Sequence, residues 1–433
     1  KELAQLETRY QSFPEGSAEY TEAKQKWQAA KTAAQLKQWR NRCISDGYEP
    51  GSTFKVMTMA SALDCGAIDL NTGFHCGGAE KIPGRSQLLH CWRSTGHGSQ
   101  KTANALQNSC NLAFAHIALR LGGERFYSYV KNFGVLEKTG IDLFGESKGV
   151  FFSKQLVTDT DKWGTASLTS GSFGQTFKLT PIQLVRGIAA AVNGGKLVQP
   201  YVVSQVLDPE GNVLAEHENK VLRQVIKPET SKTMCALMES VVAEGTAKNA
   251  AVAGYRIGGK TGTSEKIDVL DESGKPTLDK IVSFVGVAPM DNPRYIILIA
   301  LDTPSRKTGM YISGGVMAAP TVGGLFAQLL PYLGVSKAVE DVYVTVPDLT
   351  GKTEKEVKAA LNELGLDYVA RAHGQTVTAQ IPAPMQTVAQ GSQLLVYSDM
   401  TFNQRGEFTT LAEDDPQQQF WGVREDLENL ALA

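Results

Sequence analysis

Apolar residues recur at helical spacing through Val56, Met59, Ala60 and Leu63, so residues 52 to about 63 read as a helix with one buried face. Ahead of it, Glu49-Pro50-Gly51 forms a turn that delivers Ser52 onto the first helical turn. Ser52 and Lys55, three apart, then share a second face. Residues 1 to about 42, rich in Ala, Gln, Lys and Glu, read as helix after a break at Phe13-Pro14, and residues 103–121 as a further helix. A Gly/Ser/Thr-rich turn from residue 165 leads to Thr180-Pro181 and a helical run over 182–192, with proline where a missing N–H costs little. The pattern then predicts a hairpin around Asp208-Pro209-Glu210-Gly211, a helix over 231–243, antiparallel strands over 281–288 and 294–302, and a closing helix over 315–333.

From Val346-Pro347-Asp348 onward the pattern changes. Thr353 and Glu356 form a capping box, Val357, Ala360, Leu361 and Leu364 make one apolar stripe, and Gly365 stops the helix. Strands are expected over 367–370, 376–380 and 393–398. The tail, residues 400–433, is acidic and Gln-rich and is expected to be disordered. Three parts result: a large unit over 1–335, a small module over 343–399, and the tail. The fold class is mixed α/β (α+β).

Charge removes several functions. The 43 Lys and Arg nearly balance the 45 Asp and Glu, for a net charge of −2, so no nucleic acid or other polyanion is expected as a partner. The longest strongly apolar run, near residues 295–301, is far shorter than the ~20 residues of a membrane-spanning helix. The sequence opens on Lys1 with no charged-then-apolar leader, so any targeting segment is expected to have been processed, cut away or never present.

Six cysteines occur. Cys76 and Cys91 bracket a Gly/Pro-rich loop at a spacing that suits no common zinc pattern, and both a disulfide between them and two unpaired thiols fit. Cys43, Cys65 and Cys235 are expected to be small buried residues. His75, His90 and His97 match no ligand pattern and read as surface-loop residues, so no metal or cofactor is expected.

The chemistry lies in three short segments. A serine hydroxyl attacks a carbonyl usefully only when a base takes its proton, and Lys55 is placed to do so if its pKa falls by about three units, roughly 4 kcal/mol. Desolvation and a second cation can supply that. Alone the pair is unspecific, since Ser128 and Lys131 repeat it and a charged residue one turn after a serine usually marks a solvated face. Ser109-Cys110-Asn111 is the only Ser-x-Asn in the chain. On a regular helix Ser109 and Asn111 would not share a face, so both reach one cleft only if the backbone is locally irregular; otherwise they are surface polar residues around a core cysteine. Lys260-Thr261-Gly262-Thr263 follows a Gly pair that admits close backbone approach. Lys-Thr-Gly recurs at Lys138 and Lys307, so context alone singles out Lys260.

In this order, Ser52-x-x-Lys55, Ser109-x-Asn111 and Lys260-Thr261-Gly262 resemble the triple signature of penicillin-binding proteins and class A β-lactamases. With Trp39-Arg40-Asn41-Arg42, Gly96-His97-Gly98 and Phe173-Gly174-Gln175, the chain resembles a class B penicillin-binding protein over roughly residues 39–333. Cys76, Cys91 and Asn108-Ser109-Cys110-Asn111 lean towards its sporulation-type members. Residues 343–399 resemble a PASTA domain, with Met385 standing where its Pro-x-x-Gly turn has glycine.

The resemblance implies a peptidoglycan D,D-transpeptidase fold, an antiparallel sheet covered by helices, over 1–335. It implies Ser52 as nucleophile, Lys55 as its base, Ser109 as a proton relay and Asn111 as a holder of the acyl amide. Lys260 would add charge and depress Lys55, and Thr261 and Thr263 would bind the substrate carboxylate, with Gly262 between them. Its partners are stem peptides and β-lactams, together with divisome or sporulation wall machinery, on the outer face of the bacterial membrane. The family's membrane anchor and pedestal are not in this sequence, and its first sheet strand would lie upstream of Trp39, with Tyr10-Gln11-Ser12-Phe13-Pro14 at its exit. No Glu-x-x-Leu-Asn lies between the second and third motifs, so a slowly released acyl-enzyme is expected. The rival readings are a D,D-carboxypeptidase and a β-lactam or wall sensor.

Overall fold

The structure is a computed structural model that describes residues 2–159, 164–266, 269–271, 273–277, 279–337, 343–371, 375–381, 384–389 and 393–398. The tail expected to be disordered lies outside the described residues.

Residues 2–39 are two helices, α1 (Glu2–Gln11) and α2 (Ala18–Trp39), capped at Ser17. Tyr10 packs its ring on Tyr20 and Trp27 at 5.8 and 5.1 Å, and neither helix contains a buried residue. The expectation of a strand with its exit at Tyr10 is therefore corrected: Tyr10 and Gln11 end a helix, and helix stands on both sides of Phe13-Pro14.

The core begins at α3 (Lys55–Asp64), where every residue from Lys55 to Ala62 is buried. A helix covered all round belongs to the interior of a large domain, which goes further than the single buried face read from its spacing. The predicted helix over 103–121 is in fact two, α4 (Thr102–Gln107) and α5 (Asn111–Leu121), because Ser109 turns into the left-handed region at φ 51°. The Cys110 sulfur caps α5 by accepting from the Ala113 N–H.

The Gly/Ser/Thr-rich stretch expected to be a turn is a helix, α6 (Gly164–Ser172). Its hydroxyls bond back along it, Thr169 to the Thr165 carbonyl at 2.6 Å and Ser172 to that of Thr169 at 2.6 Å, so small polar residues are buried without loss of partners. Helix α7 (Pro181–Val192) has its proline in the first turn and a Thr180–Gln183 capping box, and α8 (Pro228–Ala243) also opens on proline.

Strands β1 (Gly73–Cys76) and β2 (Gly98–Lys101) form a small antiparallel ribbon. The main sheet runs β3 (Gly258–Glu265), β4 (Lys280–Ala288), β5 (Tyr295–Asp302), antiparallel in the order β5-β4-β3. Central β4 is buried from Val282 to Ala288. Against it packs α9 (Ala319–Tyr332) with Val322, Phe326 and Leu330 fully buried, at about 1.5–3 kcal/mol per large apolar side chain. Helix α8 packs against β3. Among the described residues no helix is long and apolar enough to cross a membrane.

The small module is described by itself. Helix α10 (Glu354–Glu363) carries the Thr353–Glu356 capping box, and Val357 and Leu361 sit in a core with Val346, Leu349 and Leu394. Strands Asp367–Arg371, Gln393–Ser398 and Val377–Ile381 pair in that order, and Tyr343–Thr345 pairs with Thr387–Ala389. Met385 adopts φ 68°, the conformation glycine takes without steric cost, while its N–H donates to the Val346 carbonyl at 2.9 Å.

Candidate active site

Ser52 lies in a 3-10 turn, Gly51–Phe54, that runs directly into α3. The Lys55 N–H donates to the Ser52 carbonyl, which fixes the two residues one tight turn apart. Gly51 sits at φ 54°, donates to the Gly174 carbonyl at 2.9 Å, and has no room for a side chain, since a Cβ there would lie 2.8 Å from the Thr263 carbonyl oxygen. The Ser264 hydroxyl donates to the Glu49 carbonyl at 2.8 Å, a second tie between this turn and β3.

The third motif's glycine meets the same turn from the other side. A Cβ on Gly262 would come within 2.4 Å of Ser283 Oγ and 3.0 Å of both the Pro50 carbonyl oxygen and Thr53 Cγ2. Gly262→Ala is therefore expected to push β3 off the turn and slow the penicillin acylation that the resemblance implies by about 10- to 100-fold, a loss typical of a displacement near 1 Å. Stopped-flow acylation rates check this, and an unchanged rate would mean that the contact does not set the geometry.

Lys55 is fully buried and its Nζ donates to the Ser109 carbonyl at 2.8 Å, to Ser109 Oγ at 3.3 Å and to Asn111 Oδ1 at 2.7 Å. Lys260, also fully buried on β3, donates from its Nζ to Ser109 Oγ at 2.9 Å. One serine hydroxyl thus lies between two lysine amines from different elements. The irregular backbone required for Ser109 and Asn111 to share a cleft is present as the left-handed Ser109 between α4 and α5. Ser52 is half-buried, and among the described residues its hydroxyl makes no hydrogen bond to Lys55, which turns its amine to the Ser109 segment.

Burial lowers Lys55 to about 7, with the Cys110 and Cys91 sulfurs opposing. Burial also drives Lys260 well below its ordinary value, and the charge on Lys55 pushes the same way. Desolvation is therefore the main source of the required shift. Thr261 is buried, with its Oγ1 3.1 Å from that of Thr246, and Thr263 is half-buried beside the Ser52 turn. Thr246 had no signal in the sequence. It follows α8 and reaches the site because its N–H bonds the Gln107 carbonyl at 3.2 Å.

The cysteines and histidines depart from the sequence reading. All six cysteines are free thiols, and Cys43 is exposed and Cys65 half-buried, so only Cys235 of the three expected core thiols is buried. His75 and His90 are exposed, as surface-loop residues are. His97 instead turns inward, where its imidazole gathers with the thiols of Cys76, Cys91 and Cys110, the four ligand atoms lying within 4.8 Å of one another. The spacing rules gave no warning, because the four residues come from three separate stretches, at residues 76, 91–97 and 110.

The family model for the penicillin binding protein transpeptidase domain matches residues 15–321, and that for the PASTA domain matches residues 344–399. Stage V sporulation protein D of Bacillus subtilis is 39% identical over 371 residues, 83% of this chain and 55% of that protein. Penicillin-binding protein PbpB of Mycolicibacterium smegmatis is 32% identical over 308 residues, 69% of this chain and 44% of that protein. The chain thus spans about half the length of the curated relatives it matches. Among solved structures, the apo transpeptidase domain of Burkholderia pseudomallei penicillin-binding protein 3 superposes with TM-score 0.58 at 26% identity, over 70% of this chain and 84% of that one. Penicillin binding protein 3 of Mycobacterium tuberculosis, complexed with aztreonam, does so with TM-score 0.60 at 26% identity, over 69% and 66%. With the helix-covered antiparallel sheet, the three converging segments and the family match over most of its length, the chain belongs to the penicillin-binding protein transpeptidase family and carries a PASTA domain.

Proposed function

We propose that the chain is a serine peptidoglycan D,D-transpeptidase that cross-links stem peptides through an acyl-enzyme on Ser52. The observation that carries this reading is the double contact on Ser109 Oγ, from Lys55 at 3.3 Å and Lys260 at 2.9 Å, with Ser52 one turn from Lys55.

Neutral Lys55 takes the Ser52 proton as Oγ attacks the D-Ala-D-Ala carbonyl, and the Ser52 and Thr263 N–H groups meet the developing oxyanion. Ser109 passes the proton to the departing D-Ala amine, and the acyl-enzyme waits for an acceptor amine. Asn111 holds the acyl chain's amide. Lys260, Thr261 and Thr263 receive the terminal carboxylate, and Gly262 keeps β3 close enough to do so. A β-lactam, whose strained amide imitates the dipeptide, acylates the same oxygen. The work takes place on the outer face of the membrane, beside division or sporulation wall machinery.

A stem-peptide thioester offered with a D-amino acid acceptor tests the reading. Thioester loss with formation of the acceptor adduct is expected. Hydrolysis without adduct would replace the transpeptidase with a carboxypeptidase, and acylation without turnover would replace it with a sensor.

A further inference from the structure

Among the described residues, Cys76, Cys91, His97 and Cys110, the last inside the second motif, bring four potential ligand atoms together. Tetrahedral zinc, with Zn–S near 2.3 Å and Zn–N near 2.05 Å, sets sulfurs about 3.8 Å apart and sulfur and imidazole nitrogen about 3.6 Å apart. Cys91 Sγ lies 3.9 Å from Cys110 Sγ. His97 Nδ1 lies 3.5 Å from Cys76 Sγ and 3.6 Å from Cys91 Sγ. These three of the six ligand-atom spacings match those of a bound tetrahedral ion, and all six fall within 4.8 Å.

The site is also built. Cys76, Cys91 and Cys110 are 1%, 6% and 0% exposed. Cys76 is held by strand pairing opposite Gly98, and its carbonyl accepts the His97 N–H at 3.0 Å. The Cys91 N–H donates to the Gly78 carbonyl at 2.8 Å, and the Cys110 N–H donates to that of Ala105 at 3.0 Å. Each ligand backbone is therefore fixed by hydrogen bonds independent of any ion. Among the described residues, Nδ1 of His97 has only sulfurs as polar neighbours, and its buried Nε2 has no partner. A half-buried imidazole whose Nδ1 meets thiols alone and whose buried Nε2 has no partner calls for an explanation.

We propose that Cys76, Cys91, His97 and Cys110 form a Cys3His site for a tetrahedral divalent ion, zinc by donor softness, that fastens the β1–β2 ribbon to the N-terminus of α5. All four positions are protein ligands, so the site is closed and structural. Because Cys110 stands between Ser109 and Asn111, an ion there holds the strained Ser109 segment in place from behind. Three thiol protons leave when the ion enters, so affinity rises with pH.

Co2+ titration of the whole chain, fully reduced and freed of metal under nitrogen, tests the site. The expected result is one Co2+ per chain with a thiolate-to-cobalt charge-transfer band and tetrahedral visible bands, displaced stoichiometrically by Zn2+. Cys76→Ser and Cys91→Ser should each weaken binding by about 100-fold or more, since even outer-shell partners are worth about 10- to 100-fold. Cys43→Ser, at an exposed position, should leave it unchanged, and His97→Cys should retain the ion with an altered spectrum. Failure of the reduced wild-type chain, which needs no substitution to fold, to take up Co2+ overturns the proposal. So does uptake that survives removal of both Cys76 and Cys91.

Discussion

Replacing Ser52 with alanine is expected to abolish covalent labelling by fluorescent penicillin, a loss of about 10⁴-fold or more in acylation, because no other oxygen at the site can take its place. Ser109 is the nearest rival nucleophile, but it is buried and its Oγ is held by both lysines, whereas Ser52 is half-buried and its hydroxyl is unbonded among the described residues. The substitution removes one oxygen from a turn whose position depends on the Gly51 and Glu49 contacts, none of which uses the Ser52 side chain. Thermal melting should therefore stay close to wild type, within the roughly ±0.5 kcal/mol of changes that break no buried contact. Labelled Ser52→Ala protein, with the adduct mapped by mass spectrometry to another residue, would remove Ser52 from the mechanism.

How much of this was legible beforehand depended on whether an interaction was local. Ser52 and Lys55 are neighbours on any helical turn, so their spacing alone predicted proximity, and the Thr353–Glu356 cap and the helix start at Pro181 were equally readable. The Ser109 segment was half legible: the sequence demanded an irregular backbone, but the left-handed residue that provides it leaves no compositional mark. Helix α6 was hidden because its buried Ser and Thr residues satisfy themselves within the helix, so polarity there does not mean exposure. Thr246 and the inward turn of His97 are consequences of strand pairing and chain packing, which single-sequence spacing does not encode.

Lys55 carries the second large effect, and it shows in two measurements. Acylation needs the neutral amine, so its rate should rise with pH through about 7 and level off above. Lys55→Arg, which cannot give up its charge, and Lys55→Met should each slow acylation by about 10²- to 10⁴-fold and remove that rise. Stability follows the same titration. The folded chain holds this lysine at about 7 by burial, below the ~10.4 of an exposed one. Between those values the unfolded chain binds more protons, so the buried lysine penalises folding in full at lower pH, by roughly 5 kcal/mol, and the penalty fades as pH rises towards 10. Lys55→Met removes it, although the Ser109 carbonyl and Asn111 Oδ1 lose a donor, at about 1–3 kcal/mol each. The variant's stability relative to wild type should therefore fall by several kcal/mol from pH 6 to pH 10 in denaturant titrations. Lys260, lowered first by burial and further by the charge on Lys55, strengthens the trend, because Lys55→Met deletes that second contribution. Parallel stability curves would mean that Lys55 keeps its proton in the folded chain at neutral pH, and an amine in that state cannot accept one from Ser52.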